Sequence, residues 1–330
     1  MSEESSTLNF TVSPEDAGKR LDALLAAKIE GWSRSRLQRV IDDGDVLVNQ
    51  KESKPSYKLR ENDEIEVELT DIPVDQFEPE NIPLDIVFED DLLAVIDKPA
   101  GMVVHPGAGI NSGTLANAVA YHFKFDISDL KFNTPVPDEQ SKIQNLKSKI
   151  GIVHRLDKDT SGLILVAKNQ ETHEAIGEQF RSREVYKKYV ALVHGGPREN
   201  SGKIDRPIAR DRWHRTKMTV AANGRTALTL WKVRERFEKF TLLDVEIKTG
   251  RTHQIRVHLA SINHPVVGDA TYNEGRDNTV ADQKIKKAIH DFDRFFLHAE
   301  TLAFTHPSTG ERMKFTAPLP AELNRLLLLL

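Results

Sequence analysis

A chain of 330 residues with 39% hydrophobic and 29% charged residues has material for one large domain plus a small one and for a proper core. It contains no cysteine, which excludes disulfides, thiolate nucleophiles and cysteine-ligated metals, and neither the opening MSEESSTLNF nor the short leucine run at 326–330 has the pattern of a leader or a membrane span. A net charge of −4 does not exclude a polyanionic partner, because residues 181–260 hold 19 Lys and Arg against 8 acids, while 71–100 hold nine acids and a single base, Lys98.

In chain order, residues 1–16 are polar and acidic and are expected to form a flexible tail. Leu21, Leu24, Leu25 and Ile29 recur at helical spacing, and Ser33 stands as N-cap of a second helix carrying Leu37, Val40 and Ile41. Gly44 turns the chain into a short strand at 46–48, and residues 64–69 alternate charged and apolar side chains as a half-buried strand does. Residues 17–72 thus read as a small α/β unit, with Arg34, Arg36 and Arg39 on its second helix as candidate contacts to a polyanion. Residues 70–83 carry three prolines, many acids and little periodicity, so a linker is expected at 73–83.

The remaining stretch, 84–330, opens with strands at 86–89 and 92–97, closed by Lys98-Pro99-Ala100-Gly101. A strand at 102–105, a helix at 114–123 and a long polar loop at 126–148 are expected next. Strands follow at 162–167, 185–193, 227–233 and 242–247, with helices near 171–182 and 252–262 and a packed helical turn in the terminal leucines. Adjacent strands with scattered helices predict an α+β fold on a mixed or antiparallel sheet, not a regular βαβ alternation.

Three segments hold side chains that a core does not need. Residues 154–162, His-Arg-Leu-Asp-Lys-Asp-Thr-Ser-Gly, stand directly before an apolar strand, the way a rigid sheet presents a reactive loop. Asp157, flanked by Arg155 and Lys158, is expected to stay ionised and serve as nucleophile or base. The same pattern also suits a simple turn in which Asp157 and Asp159 bond local backbone. In residues 248–259, Gly250 ends a strand, Thr252 is placed to N-cap a helix, and Ile255, Leu259 and Ile262 form its core face. Arg256 falls beside that face, where its charge must be paired, and Asp157 is the natural partner. Arg251, at the helix start, can join exposed N–H groups in holding a phosphate. His253 and His258 lack the i,i+4 spacing of helical zinc ligands and read as ordinary hydrogen-bonding groups, so no metal is expected. In the strand containing residues 186–190, Lys187 and Tyr189 share a face, which suits stacking on a base with a backbone contact alongside. A tyrosine in an ordinary sheet is the plainer reading of the same pattern.

In this order the segments resemble the RluA-type pseudouridine synthases. His154-Arg155-Leu156-Asp157 with Thr160-Ser161-Gly162 is similar to the signature around the family's catalytic aspartate, and Lys188-Tyr189-Val190-Ala191 to the strand bearing its active-site tyrosine. Residues 250–258 resemble the motif whose arginine pairs with that aspartate, with Arg256 at the matching position. Residues 98–106 resemble the family's opening motif, and 17–70 a small S-four-type RNA-binding domain. Two departures stand out: Lys149-Ile150 replaces a common Arg-Pro pair, and the loop at 126–148 is long. The S-four-type segment is not net basic either, with ten Lys and Arg against eleven acids in 17–70, so its RNA contact would depend on one face.

The resemblance implies a cofactor-free isomerase that cuts uracil from carbon-1′ of its ribose, rotates it and rejoins it through carbon-5. It implies Asp157 as the catalytic group, attacking a ribose carbon or removing a ribose proton, and Arg256 as its ion-pair partner. Tyr189 would stack on the base and accept the carbon-5 proton, and Arg155 would fill the gap left by a flipped uridine. Lys187, Arg210, Arg212 and Arg251 would hold phosphates. The expected partner is structured RNA, first large-subunit ribosomal RNA and second tRNA, acted on by a cytoplasmic monomer with no membrane contact. Two rival functions compete. A glycosidic hydrolase needs two carboxyls about 5 to 9.5 Å apart across the sugar, which Asp157 and Asp159 in one loop can scarcely provide. An inactive RNA-binding ribosome-assembly factor would make Asp157 dispensable.

Overall fold

The alternation in residues 64–69 is used as a sheet requires, with Ile65 and Val67 fully buried. The structure, a computed structural model, describes residues 6–29, 32, 34–42, 44–69, 78–106, 110, 112–123, 151–211, 213–214 and 217–330. Ser33, residues 73–77 of the expected linker, the loop at 126–148 with Lys149-Ile150, and Arg212 lie outside them. The chain forms two compact units, residues 1–78 with 105–112, and residues 79–104 with 113–330.

The first unit contains β1 (Ser6–Thr11), α1 (Leu21–Lys28), α2 (Arg34–Asp42), β2 (Val46–Val48), β3 (Lys51–Glu52) and β4 (Glu64–Leu69). Its antiparallel sheet runs β1-β4-β2-β3. The expectation of a flexible tail over 1–16 is corrected here: β1 pairs with β4 from Ser6↔Leu69 to Thr11↔Glu64. Its apolar residues are few but alternate, and Leu8 and Phe10 pack on the core of Leu21, Leu25, Leu37 and Ile41. Asp22, wholly buried on α1, accepts hydrogen bonds from Arg20, Arg34 and Gln38. The Arg20 hydrogen bond, with those of Arg34 and Gln38, outweighs burial and holds its carboxyl far below the usual range.

The second unit contains β5 (Asp85–Glu89), β6 (Leu93–Lys98), α3 (Leu115–His122), β7 (Gly151–Ile152), β8 (Ser161–Ala167), α4 (Gln170–Arg181) and β9 (Tyr186–His194). It continues with β10 (Ser201–Asp205), β11 (Ile208–Arg210), β12 (Met218–Val220), β13 (Leu228–Arg236), β14 (Phe240–Ile247) and α5 (Gln254–Ser261). After α6 (Gln283–Phe292) come β15 (Leu297–Thr305), β16 (Arg312–Thr316) and α7 (Ala321–Leu327). A ten-stranded sheet runs β10-β13-β14-β9-β15-β8-β6-β5, with β16 added on β15 and β7 on β8. Among the described residues only the β8–β15 pairing is parallel, so the sheet is mixed, one of the two forms the sequence allows. β11 and β12 form a separate hairpin.

Two local expectations change. Residues 102–105 form no strand; instead the Val103 and Val104 carbonyls accept the N–H groups of Leu115 and Ala116 in the first turn of α3. Of the terminal leucines, Leu326 is buried with Leu323 on α7, while Leu328 is 86% exposed, because only one stripe of that helix meets the core.

At the start of β8, Gly162 has φ +114, and a Cβ there would lie 2.3 Å from the Ala299 carbonyl oxygen on β15. Glycine is required by both the backbone and the close approach. Gly162→Ala is expected to lower unfolding free energy by about 1–3 kcal/mol or more, read as a lower urea midpoint at unchanged slope. A parental midpoint would show that the parallel pair relaxes without cost.

Candidate active site

Asp157 sits in the loop between β7 and β8, and three contacts hold that loop. Antiparallel pairing of β7 with β8 stops after Ile152↔Val166. At the next position the His154 ring takes over, its Nε2 accepting from the Leu165 N–H at 2.9 Å while it stacks on Phe180. Burial, with the nearby Lys187 ammonium, pushes the His154 pKa down to about 3, so the ring remains the neutral acceptor this bond needs. Lys98, fully buried at the end of β6, donates to the carbonyls of Pro99, Met102 and Lys158, tying the opening motif to the loop. Ser161 closes it, accepting from Arg294 at 3.0 Å and bonding His298 Nδ1 at 3.0 Å.

Arg256 reaches Asp157 from α5. Its Nη1 donates to Asp157 Oδ2 at 3.1 Å, and among the described residues no group donates to Oδ1. The other side of the guanidinium is engaged by Asp269, buried in the segment after α5, through Nε at 2.7 Å and Nη2 at 2.9 Å. The guanidinium also lies 4.1 Å from the Phe295 ring centroid and 5.1 Å from that of Tyr272. Asp269 therefore takes the bidentate grip and Asp157 receives a single hydrogen bond. Such an arrangement fixes the arginine independently of Asp157 and leaves the second carboxylate oxygen available to a reacting atom. Gly268, with φ +78, makes the turn into Asp269; a Cβ there would lie 2.1 Å from the Arg294 carbonyl oxygen.

Burial alone would raise the Asp157 pKa, but the charges of His253, Arg256 and Arg155 hold it below the ordinary value. Burial also brings the His253 pKa down to about 4, so at neutral pH the two guanidiniums carry the effect. Burial, followed by the Asp157 charge, raises the Tyr189 phenol and keeps it protonated. Tyr272 receives the Met218 N–H at 2.8 Å and is hydrogen-bonded to His253 Nδ1 at 2.7 Å.

Arg155, Asp157, Tyr189, Arg251, His253 and Arg256 line one pocket, and the sequence reading had named the first four and Arg256 as site residues. Lys187 stands beside it: its Nζ would be 3.9 Å from a Cβ on the pocket residue Gly250 and is 5.2 Å from the Phe180 ring centroid. Burial lowers its pKa to about 8. Its neighbour Lys188 points to the other face of β9 and joins Arg234 around Glu300 and Asp244. Arg251 donates to the Thr226 carbonyl, and Arg210 ends β11, outside the pocket lining. Arg34 opens α2 and pairs with Asp22; the side chains of Arg36 and Arg39 lie outside the described residues.

The N-cap of α5 is His253, left-handed at φ 53, not Thr252. His253 makes no side-chain cap, and Gln254, the first helical residue, instead fixes the turn before the helix, its Oε1 accepting from the Arg251 N–H and the Thr249 hydroxyl. Among the described residues no group of His, Asp and Glu is arranged to hold a metal ion. Asp269 and Tyr272 escaped the sequence reading because a lone Gly-Asp after two valines has no spacing that marks it.

Comparison with known proteins matches residues 92–261 to the RNA pseudouridylate synthase family and residues 19–65 to the S4 domain. The Bacillus subtilis protein described as uncharacterized RNA pseudouridine synthase YlyB is 40% identical over 97% of each chain. The ribosomal large subunit pseudouridine synthase D of Nitrosomonas europaea is 42% identical over 98% of this chain and 88% of that one. The human RNA pseudouridylate synthase domain containing 1 structure is similar over 74% of this chain and 87% of that one, with a TM-score of 0.53 and 26% identity.

The double use of Arg256 generates a prediction. Asp269→Asn keeps the side-chain shape but removes a buried counter-charge, so unfolding free energy is expected to fall by about 3–5 kcal/mol. The freed guanidinium then turns toward Asp157, and the single-turnover rate is expected to fall by up to about 100-fold, the order a ~1 Å misplacement costs, at little-changed substrate affinity. Loss of affinity with an unchanged bound-state rate would show that Asp269 does not position the pair.

Proposed function

The chain belongs to the RNA pseudouridylate synthase family, isomerising uridine in RNA to pseudouridine, and we propose that Asp157 carries that chemistry and that large-subunit ribosomal RNA is the substrate. The observation supporting Asp157 is its setting: a carboxylate lining a pocket, kept ionised by two guanidiniums, with one oxygen bound and one open. Attack on a ribose carbon and removal of a ribose proton both start from that ionised form. By either route the bond from carbon-1′ to N1 breaks, the uracil turns, and carbon-5 bonds to carbon-1′. The carbon-5 proton leaves as N1 gains one, so neither oxidant, hydride nor water is consumed.

Arg256 aims Asp157. Tyr189, held as a neutral phenol, packs against the uracil as a ring and hydroxyl; this fits its surroundings better than a phenolate accepting the carbon-5 proton. Arg155 occupies the space that a flipped uridine vacates. Lys187, on the Tyr189 side of β9, holds a phosphate beside the target, and Arg210, Arg212 and Arg251 extend the grip. Arg34, Arg36 and Arg39 do the same from the S4 domain. The preference for large-subunit ribosomal RNA over tRNA is supported by the 40–42% identical relatives named ribosomal large subunit pseudouridine synthase D. A substrate of that kind goes with a cytoplasmic enzyme, and no described helix is long and apolar enough to cross a membrane.

Pseudouridine mapping of ribosomal RNA from cells lacking the protein tests both parts of this reading. Specific large-subunit sites are expected to lose pseudouridine, to regain it with the parent chain, and to stay unmodified with Asp157→Asn, which keeps the shape and RNA affinity. Restoration by Asp157→Asn would remove Asp157 from the chemistry; an intact large-subunit pattern with altered tRNA would reassign the substrate.

The Lys187 environment adds a pH dependence. Its charged form binds phosphate, so that contribution is present below about pH 8 and is lost as pH rises through it. The parent's kcat/KM, which reports the free enzyme, is expected to decline above about pH 8. In Lys187→Arg, always protonated, this limb should move to higher pH. Superimposable profiles would take Lys187 out of substrate binding.

A further inference from the structure

Of the three tryptophans in the chain, Trp32 and Trp231 are buried, at 5% and 7% exposure, whereas Trp213 is 88% exposed. An indole presents a large planar apolar face, and one 88% exposed is open to stack against another ring. In the sequence, residues 210–217 hold Arg210, Arg212, Arg215 and Lys217 against a single acid, Asp211. The other large apolar side chains exposed among the described residues are Val87, Tyr121, Leu328 and Leu329, none of them on this hairpin. A protein partner would need an apolar patch to bury; one planar aromatic among cations fits nucleic acid better.

The backbone that carries the ring is fixed. Asp211 Oδ1 accepts from the backbone N–H groups of Trp213 and His214, both at 2.8 Å, and the Asp211 N–H bonds the Lys217 carbonyl at 2.9 Å. Below this turn β11 and β12 are in register from Arg210↔Met218 to Ile208↔Val220. Their inner side is fastened to α5: Ile208 clusters with Val257, Met218 and Tyr272, and His258 bonds the Arg206 carbonyl. The Met218 N–H ends on the Tyr272 hydroxyl, which meets His253 in the pocket. Trp213 is thus carried by the same packed assembly as Arg256.

We propose that Trp213 is a stacking platform for an unpaired base of the substrate RNA. This rests on RNA being the substrate but not on which RNA it is. Every base has a π face, so the contact favours single-stranded over paired RNA without choosing a sequence.

The test uses the full chain with two probes, a uridine-rich single-stranded RNA oligonucleotide and a duplex of equal length. Because the other two tryptophans are buried, long-wavelength tryptophan emission is expected to be quenched by the single strand and not by the duplex, and the change should vanish in Trp213→Phe. Trp213→Ala is expected to raise Kd by roughly 5- to 100-fold, the range one stacked base contributes, with Trp213→Phe recovering much of it. The slope of log affinity against log salt should stay at the parent's value in Trp213→Ala, since no phosphate contact is removed. A fall in that slope would mean the ring merely supports the neighbouring arginines, and would overturn the proposal. So would parental affinity in Trp213→Ala, equal quenching by duplex, or an unquenched parent with RNA bound. The Phe variant and the parent's own emission decide the matter even if Trp213→Ala misfolds. A parent that isomerises uridine while its emission ignores the single strand defeats this inference alone; one whose emission responds but that never isomerises uridine defeats the functional reading.

Discussion

A guanidinium buried among aromatic rings has to be neutralised within the fold, and the site is organised around how Arg256 meets that requirement. Desolvating one ion costs several kcal/mol, which only close, well-directed hydrogen bonds offset. Asp269 supplies two of them from 13 residues away and Asp157 one from 99 residues away. The asymmetry matters chemically. A bidentate grip by Asp157 would have consumed both its oxygens and lowered its reactivity. Because Asp269 carries most of the neutralisation, Asp157 can be held ionised by a charge it does not have to satisfy.

The rest of the site keeps that electrostatic balance constant. Burial lowers the pKa of His154, His253, His258 and His298, and each ring hydrogen-bonds its surroundings. The imidazoles nearest the pocket, His154 and His253, change charge only near pH 3 to 4, so the field at Asp157 comes from guanidiniums throughout the neutral range. Buried Lys98 serves the same rigidity from the other side, its ammonium spent on three backbone carbonyls of the two loops it joins.

Much of this was legible in the sequence wherever a periodicity or a charge constraint was local. The β8 and β9 runs were visible as apolar strands, a mixed or antiparallel sheet followed from adjacent strands with scattered helices, and the pairing of Arg256 with Asp157 followed from the need to neutralise an arginine beside a core face. Asp269 was not legible, because the same need can be met by any carboxylate the fold brings near, and nothing in Val266-Val267-Gly268-Asp269 distinguishes it. β1 was hidden because Ser6–Thr11 has only two large apolar residues, and the strand is defined by its pairing with β4. At α5 the cap moved one residue because His253 takes a left-handed conformation that sequence does not announce, and Gln254 fastens the turn before the helix to Thr249 and Arg251.

Charge counting needs the same revision. The surplus of cations in 181–260 overstates what is available to a polyanion, since several of these residues serve the fold. Lys188 and Arg234 surround Glu300 and Asp244, Arg236 donates to the carbonyls of Pro197 and Glu199, Arg206 to that of Ser261, and Arg256 to Asp269. On β9 the division falls between neighbours: the outward Lys188 is held by carboxylates, while Lys187, one residue earlier and on the face of Tyr189, meets an aromatic ring, a glycine and no carboxylate among the described residues. Alternation along a strand thus sorts neighbouring like charges onto a face held by carboxylates and a face turned toward the pocket. A cation's availability is therefore decided by which carboxylates the fold brings to it, and neither the net charge of the molecule nor a count along the chain reports that.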